Sequence, residues 1–115
     1  MLMESTRQKK VERLLHKELA EILRQKTTEL ARGKMLTVTT VRVSPDLSLA
    51  KIYLSIFPSD NSESTLGHIT DNTPRIRNAL GNKIRKQLRI IPEIAFYLDD
   101  SLDYIDNIDS ILNKD

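Results

Sequence analysis

Apolar residues divide this chain into segments of two different periods. Val11, Leu14, Leu15, Leu19, Ile22, Leu23 and Leu30 recur at helical spacing, with Glu12, Lys17, Glu21, Arg24 and Glu29 around them. At about 3.6 residues per turn the apolar set forms one stripe. A long amphipathic helix is therefore predicted from Ser5 or Thr6, either of which can cap it, to about Ala31. Gly33 is the expected stop, because glycine takes the left-handed conformation at little steric cost. Next, Leu36-Thr37-Val38-Thr39-Thr40-Val41-Arg42-Val43-Ser44 is dense in β-branched residues and reads as a strand. Its apolar phase shifts between Val38 and Val41, as a bulge or partial burial on both faces would require. Ser44-Pro45-Asp46-Leu47-Ser48 carries turn chemistry. Ala50, Ile52, Leu54 and Ile56 then alternate with Lys51, Tyr53, Ser55 and Phe57, a half-buried second strand ending at Pro58. So short a connection makes the pair an antiparallel hairpin.

After the polar stretch 59–64 the helical period returns. Leu66 and Ile69 lead into Ile76, Leu80, Ile84 and Leu88, so a helix is predicted from about Glu63, bent or interrupted at Pro74. That proline either opens a new helix capped by Thr73 or kinks a single one. Pro92 closes the segment, and residues 93–99 form a third strand. Ser101 caps a last short helix bearing Leu102, Ile105, Ile108 and Leu112. The order is α-β-β-α-(α)-β-α, an α+β chain. With no repeats and no long linker, residues 1–115 read as a single domain, with a core of about 5–99 and a C-terminal helix over 101–112.

Charge changes the picture. The net charge is only +2, but it is segregated along the chain. Residues 7–34 carry nine Lys/Arg against four acids, and residues 93–115 carry seven acids against one lysine. Residues 75–89 hold six cations (Arg75, Arg77, Lys83, Arg85, Lys86 and Arg89) and no acid. On a helix through this stretch all of them except Arg77 fall opposite the apolar stripe. Solvated helices normally mix their charge signs, since like charges repel. A basic face backed by an apolar one suits a polyphosphate partner. The opposing possibility is a bundle whose acidic tail neutralises the basic helix in cis.

Several chemistries lose support. No apolar run approaches the ~20 residues of a membrane span. The start, Met1-Leu2-Met3-Glu4, lacks the apolar core of a secretory signal, so the chain is expected in the cytoplasm. Without cysteine there is no disulfide, thiol nucleophile or zinc–thiolate site. His16 and His68 read as surface residues rather than general bases. None of the three glycines lies in a phosphate-cradling loop. Asp99, Asp100, Asp103, Asp106 and Asp109 invite a metal, but Asp103, Asp106 and Asp109 cannot all converge on one ion from a helix, and the helix dipole accounts for early-turn aspartates. No catalytic residue, cofactor or metal is expected.

Among nucleic-acid modules, a helix-turn-helix would need a second helix directly after the first, where this chain has strands. Stacking aromatics of the RNP type are absent from the strands, although Tyr53 and Phe57 share a face. A basic helix beside a three-stranded sheet remains, the arrangement of KH domains.

Five runs carry a closer likeness. They are Arg7-Gln8-Lys9-Lys10-Val11, the run 36–44 with its continuation Pro45-Asp46-Leu47, Ala50-Lys51-Ile52-Tyr53-Leu54-Ser55, Ile76-Arg77-Asn78-Ala79-Leu80-Gly81, and Leu88-Arg89-Ile90-Ile91-Pro92-Glu93 continuing to Asp99. In this order they resemble the ribosome-binding factor A family, bacterial factors for maturation of the small ribosomal subunit. The resemblance implies a type II KH-like fold, with a three-stranded mixed sheet and helices on one face. It further implies that Ala79-Leu80-Gly81 forms a kink between two helices in place of the KH Gly-x-x-Gly loop. Pro74 departs from members lacking a proline there and implies a shortened or tilted second helix. A long C-terminal extension is not expected.

By the same resemblance the protein would bind immature small subunits and their rRNA without catalysis, support growth in the cold, and be released with help from other factors such as an assembly GTPase. A monomer is expected. The residues expected to contact RNA are Arg75, Arg77, Lys83, Arg85, Lys86 and Arg89, with Arg7, Lys9, Lys10 and Arg13 as an auxiliary basic end and Asn78 and Asn82 adding hydrogen bonds. Arg77 could instead be structural, pairing with Glu93 or Asp99. The rival function is a protein-interaction adaptor that sets the basic helix against an acidic partner.

Overall fold

The computed structural model describes residues 5–99. The expected C-terminal helix over 101–112 and the acidic tail lie outside them. The elements run α1 (Thr6–Gln25), α2 (Thr27–Ala31), β1 (Met35–Val43), β2 (Leu49–Phe57), α3 (Ser62–Asp71), α4 (Thr73–Ile84) and β3 (Glu93–Leu98). The sheet has the order β1-β2-β3. β1 and β2 pair antiparallel, whereas β2 and β3 pair parallel. A parallel pair needs a crossover connection, and α3 with α4 provides it.

Ser5 is the first cap, as its position suggested. Its hydroxyl accepts the Gln8 N–H at 3.1 Å, and the Gln8 side-chain carbonyl accepts the Ser5 N–H at 2.9 Å. The reciprocal pair satisfies two N–H groups that the helix cannot. Gln8 also works at a distance: its amide donates to the Val43 carbonyl at 2.9 Å from a buried position. One turn on, the Glu12 carboxylate accepts the Val43 N–H at 2.9 Å. Two side chains of α1 thus occupy backbone groups of the outer strand β1, which an edge would otherwise leave open for pairing with another chain.

The first helix is not continuous to Ala31. It stops at Gln25, and α2 restarts at Thr27. The Thr27 hydroxyl donates to the carbonyls of Leu23 and Arg24, at 3.0 and 2.8 Å. Such back-bonding bends a helix. Leu30 and Ala31 still reach the core from the restarted turn. The stop uses two successive left-handed residues, Arg32 at φ 51° and Gly33 at φ 87°.

The phase shift in β1 is a bulge. Val38 faces Leu54, Thr40 faces Tyr53, and Thr39 is the extra residue between them. Val38 and Val41 consequently point to the same buried side. There Val38, Val41, Val43, Ala50, Ile52, Leu54, Ile56, Ile94 and Phe96 pack with Leu15, Leu19, Ile22 and Leu23 of α1, Ile69 of α3, and Ile76, Leu80 and Ile84 of α4. The helices cover one face of the sheet, as expected. On the other face Tyr53 and Tyr97 stack with centroids 5.5 Å apart.

The hairpin turn explains its own sequence. Asp46 accepts the Ser44 hydroxyl at 2.7 Å, the Ser48 hydroxyl at 2.7 Å and the Ser48 N–H at 3.1 Å. Leu47 takes φ 62°, a left-handed conformation costly for leucine, while packing against the core.

Two predictions follow from these local networks. Gln8→Ala leaves the Ser5 N–H and the Val43 carbonyl without their partner, and should cost about 1–3 kcal/mol in urea unfolding with an unchanged denaturant slope. The Ser44 hydroxyl, then the hydroxyl and backbone N–H of Ser48, hold the Asp46 carboxyl below its ordinary 3.8, at about 2. Their stabilisation is complete above that ordinary value and is lost as pH falls through about 2. An NMR titration should find the Asp46 midpoint near 2, rising toward 3.8 when Ser44 and Ser48 are both replaced by alanine.

Candidate nucleic-acid interface

The basic segment is half helix and half turn. α3 ends at Asp71 and α4 begins at Thr73, so the break falls at Asn72, just ahead of Pro74. Pro74 occupies the first turn of α4, where a missing N–H costs nothing. Asn72, not Thr73, is the N-cap, and it makes no side-chain capping bond; its amide instead donates to the His68 carbonyl at 2.8 Å. Contrary to the expected kink, α4 runs as regular helix through Ala79, Leu80 and Gly81. A methyl on Gly81 would meet Ile91 Cγ1 at 3.6 Å, an ordinary contact. Gly81 therefore has neither a kink nor a steric demand to offset its ~1 kcal/mol helix penalty relative to alanine.

The helix also ends early. It stops at Ile84, with the Arg85 N–H bonded to the Gly81 carbonyl at 2.9 Å, and residues 85–87 form a turn. Leu88 still packs partly against the core, but as the residue that closes this turn. The cause lies at Arg77. Its guanidinium donates to the Pro92 carbonyl at 3.0 Å and to the Ile91 carbonyl at 2.6 Å, with Glu93 at 3.7 Å. A helix continued to Pro92 would carry that residue roughly 22 Å along the axis beyond Arg77. Reaching back to Arg77 forces the chain to reverse. Arg77 thus fastens the returning loop, with Glu93 as its acid.

The remaining cations divide into two groups. Arg75 pairs with Glu29 of α2 at 3.5 Å. Lys83 approaches Glu18 of α1 at 3.9 Å. Arg85, Lys86 and Arg89 are exposed and have no hydrogen-bond or ion-pair partner among the described residues. These three crowd onto the turn and the loop after it. Lys83 lies at the helix C-terminus, where the dipole favours positive charge. At the auxiliary end Arg7, Lys9, Lys10 and Arg13 are all exposed along α1. Lys9 and Arg13 border a shallow depression of about 320 Å³ with His16 and Arg42. Glu18, which receives Lys83, lies only about 8 Å along α1 from Arg13.

Between α4 and the returning loop opens a cleft of about 530 Å³, lined by Asn78, Asn82 and Arg85 on one side and by Ile90 and Ile91 on the other. Asn78 and Asn82 are brought together here, one helical turn apart. Ile90, passed over when the sequence is read for charge, is 76% exposed. The available signal was Ile90-Ile91-Pro92 itself: adjacent isoleucines before a strand cannot both turn inward. Among the described residues no three His, Asp or Glu side chains come together to hold a metal ion. Nor is any described helix long and apolar enough to cross a membrane.

The sequence model described as "Ribosome-binding factor A" matches residues 7–112. This chain belongs to the ribosome-binding factor A family. A ribosome-binding factor A of Cytophaga hutchinsonii is 48% identical over 97% of this chain and 84% of its own length. One from Christiangramia forsetii is 46% identical over 97% and 87%. The crystal structure of ribosome-binding factor A from Thermus thermophilus superposes with a TM-score of 0.67 at 25% identity, covering 79% of this chain and 94% of that one. A Thermotoga maritima solution structure assigned to the same factor gives 0.62 at 26% identity, covering 84% and 91%. The fold is thus the KH-like one of the family, with its three-stranded mixed sheet.

The two arginines should behave differently. Arg77→Ala strips two backbone carbonyls of a charged donor and should cost about 1–3 kcal/mol in chemical denaturation. Arg85→Ala, on the open surface, should stay within about 0.5 kcal/mol of the parent.

Proposed function

We propose that this chain is a non-catalytic RNA-binding assembly factor that engages immature small ribosomal subunits and promotes the maturation and processing of their rRNA. The observation that carries the reading is the group Arg85, Lys86 and Arg89, three cations without partners among the described residues, presented on a turn that Arg77 fixes. Cations held in place but not neutralised can pair with phosphates at little ordering cost, and arginine can add forked bonds. Family membership supports a ribosomal partner. Arg7, Lys9, Lys10 and Arg13 supply a second cationic strip, while Arg77 holds the loop in position and Arg75 and Lys83 are offset by Glu29 and Glu18.

In this reading the protein works as a cytoplasmic monomer without a cofactor. Its binding holds RNA out of the translation-ready arrangement until maturation is complete, and release involves other factors such as an assembly GTPase. A role in resolving misfolded RNA fits a requirement during growth in the cold.

Co-sedimentation with immature and mature small subunits over a range of salt tests the proposal. The parent protein should favour immature particles. Replacing Arg85, Lys86 and Arg89 together by alanine should weaken that binding and flatten its salt dependence by about 0.7 per lost single-strand phosphate contact. An unchanged slope in the folded triple variant removes the turn from the interface. Capture of a principal partner that survives RNase digestion would turn the reading toward a protein adaptor.

A further inference from the structure

We propose that the cleft between α4 and the returning loop seats one unpaired purine base, adenine foremost, of single-stranded RNA. The inference rests on the RNA-binding reading above and narrows it from a charged surface to a base-reading site. Asn78 and Asn82 are exposed, share one edge of the cleft, and have no hydrogen-bond partner among the described residues. Ile90 and Ile91 form the opposite wall, and Arg85 lies at the rim without a partner. Gly81, in the floor, has no side chain to fill the space.

These parts match the chemistry of a base better than that of phosphate alone. A carboxamide presents a donor and an acceptor side by side, the pattern that asparagine uses against the adenine edge. Aliphatic walls suit the flat face of a ring, and a purine covers more of them than a pyrimidine does. Arginine at the rim suits the adjoining phosphate. A paired base could not enter. In an A-form helix the major-groove edges lie too deep and narrow for side chains to read, so sequence is read on unpaired, splayed bases. The opposing wall is also pre-set, because Arg77, itself part of the lining, binds the Ile91 and Pro92 carbonyls.

Fluorescence anisotropy with labelled RNA octamers of A, C or U, and with a blunt RNA duplex, tests this. The parent protein should bind the A octamer at least about fivefold tighter than the U and C octamers, and the duplex without regard to sequence. Asn78→Ala with Asn82→Ala should make the octamers equivalent while keeping the salt slope. Arg85→Ala should weaken all of them alike and lower the slope. Circular dichroism confirms that each variant is folded. Equal affinity of the parent for every octamer, or a preference that persists in the double asparagine variant, overturns the base site and leaves general RNA binding standing. Loss of all octamer binding in a protein that still co-sediments with subunits also overturns the cleft alone. Failure to bind either octamers or subunits overturns both readings.

Discussion

The Arg77 guanidinium, bonded to the carbonyls of Ile91 and Pro92, is the contact on which the basic surface depends. Proline has no N–H, so its carbonyl is the only backbone group through which residue 92 can be tied down. Placing that carbonyl beside α4 shortens the helix, turns the chain at 85–87 and brings Pro92 to the start of β3. Without such a tie, a segment carrying Arg85, Lys86 and Arg89 would gain from spreading its like charges apart in water. The tie thus holds like charges close together, and it does so with a fourth cation whose charge is spent on backbone.

Neutralisation elsewhere sharpens the contrast. Arg75 and Lys83 meet Glu29 and Glu18, acids on α2 and α1. Exposed pairs of this kind contribute about 0–1 kcal/mol, so they are weak fasteners. Their larger effect is on the field: the cations along the body of α4 are offset, while those on the turn are not. A positive potential is then concentrated where the helix dipole ends and the loop projects, rather than spread along the whole helix. A polyanion approaching this side of the molecule meets unpaired cations beside the cleft.

What could be read from the residues depended on the range of the interaction. Both strand periods, the bulge between Val38 and Val41, the Ser5 cap and the break before Pro74 rest on neighbours a few positions away, and each is found. The split at Lys26 is also local, but it hangs on the Thr27 hydroxyl choosing its own backbone over water, a preference that the apolar stripe hides. The early end of α4 was not legible, since Leu88 keeps helical spacing and nothing in its vicinity announces the turn. Its cause is a contact between Arg77 and residues of a different segment. The same contact gives Arg77 a structural task that the stripe does not reveal. The kink expected at Ala79-Leu80-Gly81 came from the resemblance; the interruption lies at Asn72, where an asparagine and a following proline end one helix and start another.

The edges of the sheet narrow the ways this module can recognise a partner. Gln8 and Glu12 fill the backbone groups of Val43, so that end of β1 is closed to an added strand. The face away from the helices carries Tyr53 and Tyr97 stacked on each other, each ring committing one surface to its neighbour. The helical side offers instead Asn78 and Asn82, unbonded among the described residues, and an isoleucine left in water. Exposed aliphatic surface carries a hydration cost that binding relieves, and carboxamides bonded only to water can exchange those bonds for a ligand's. Both features meet at the same cleft, with the unpaired cations at its rim. That coincidence, more than the amount of positive charge, points recognition toward α4 and its turn.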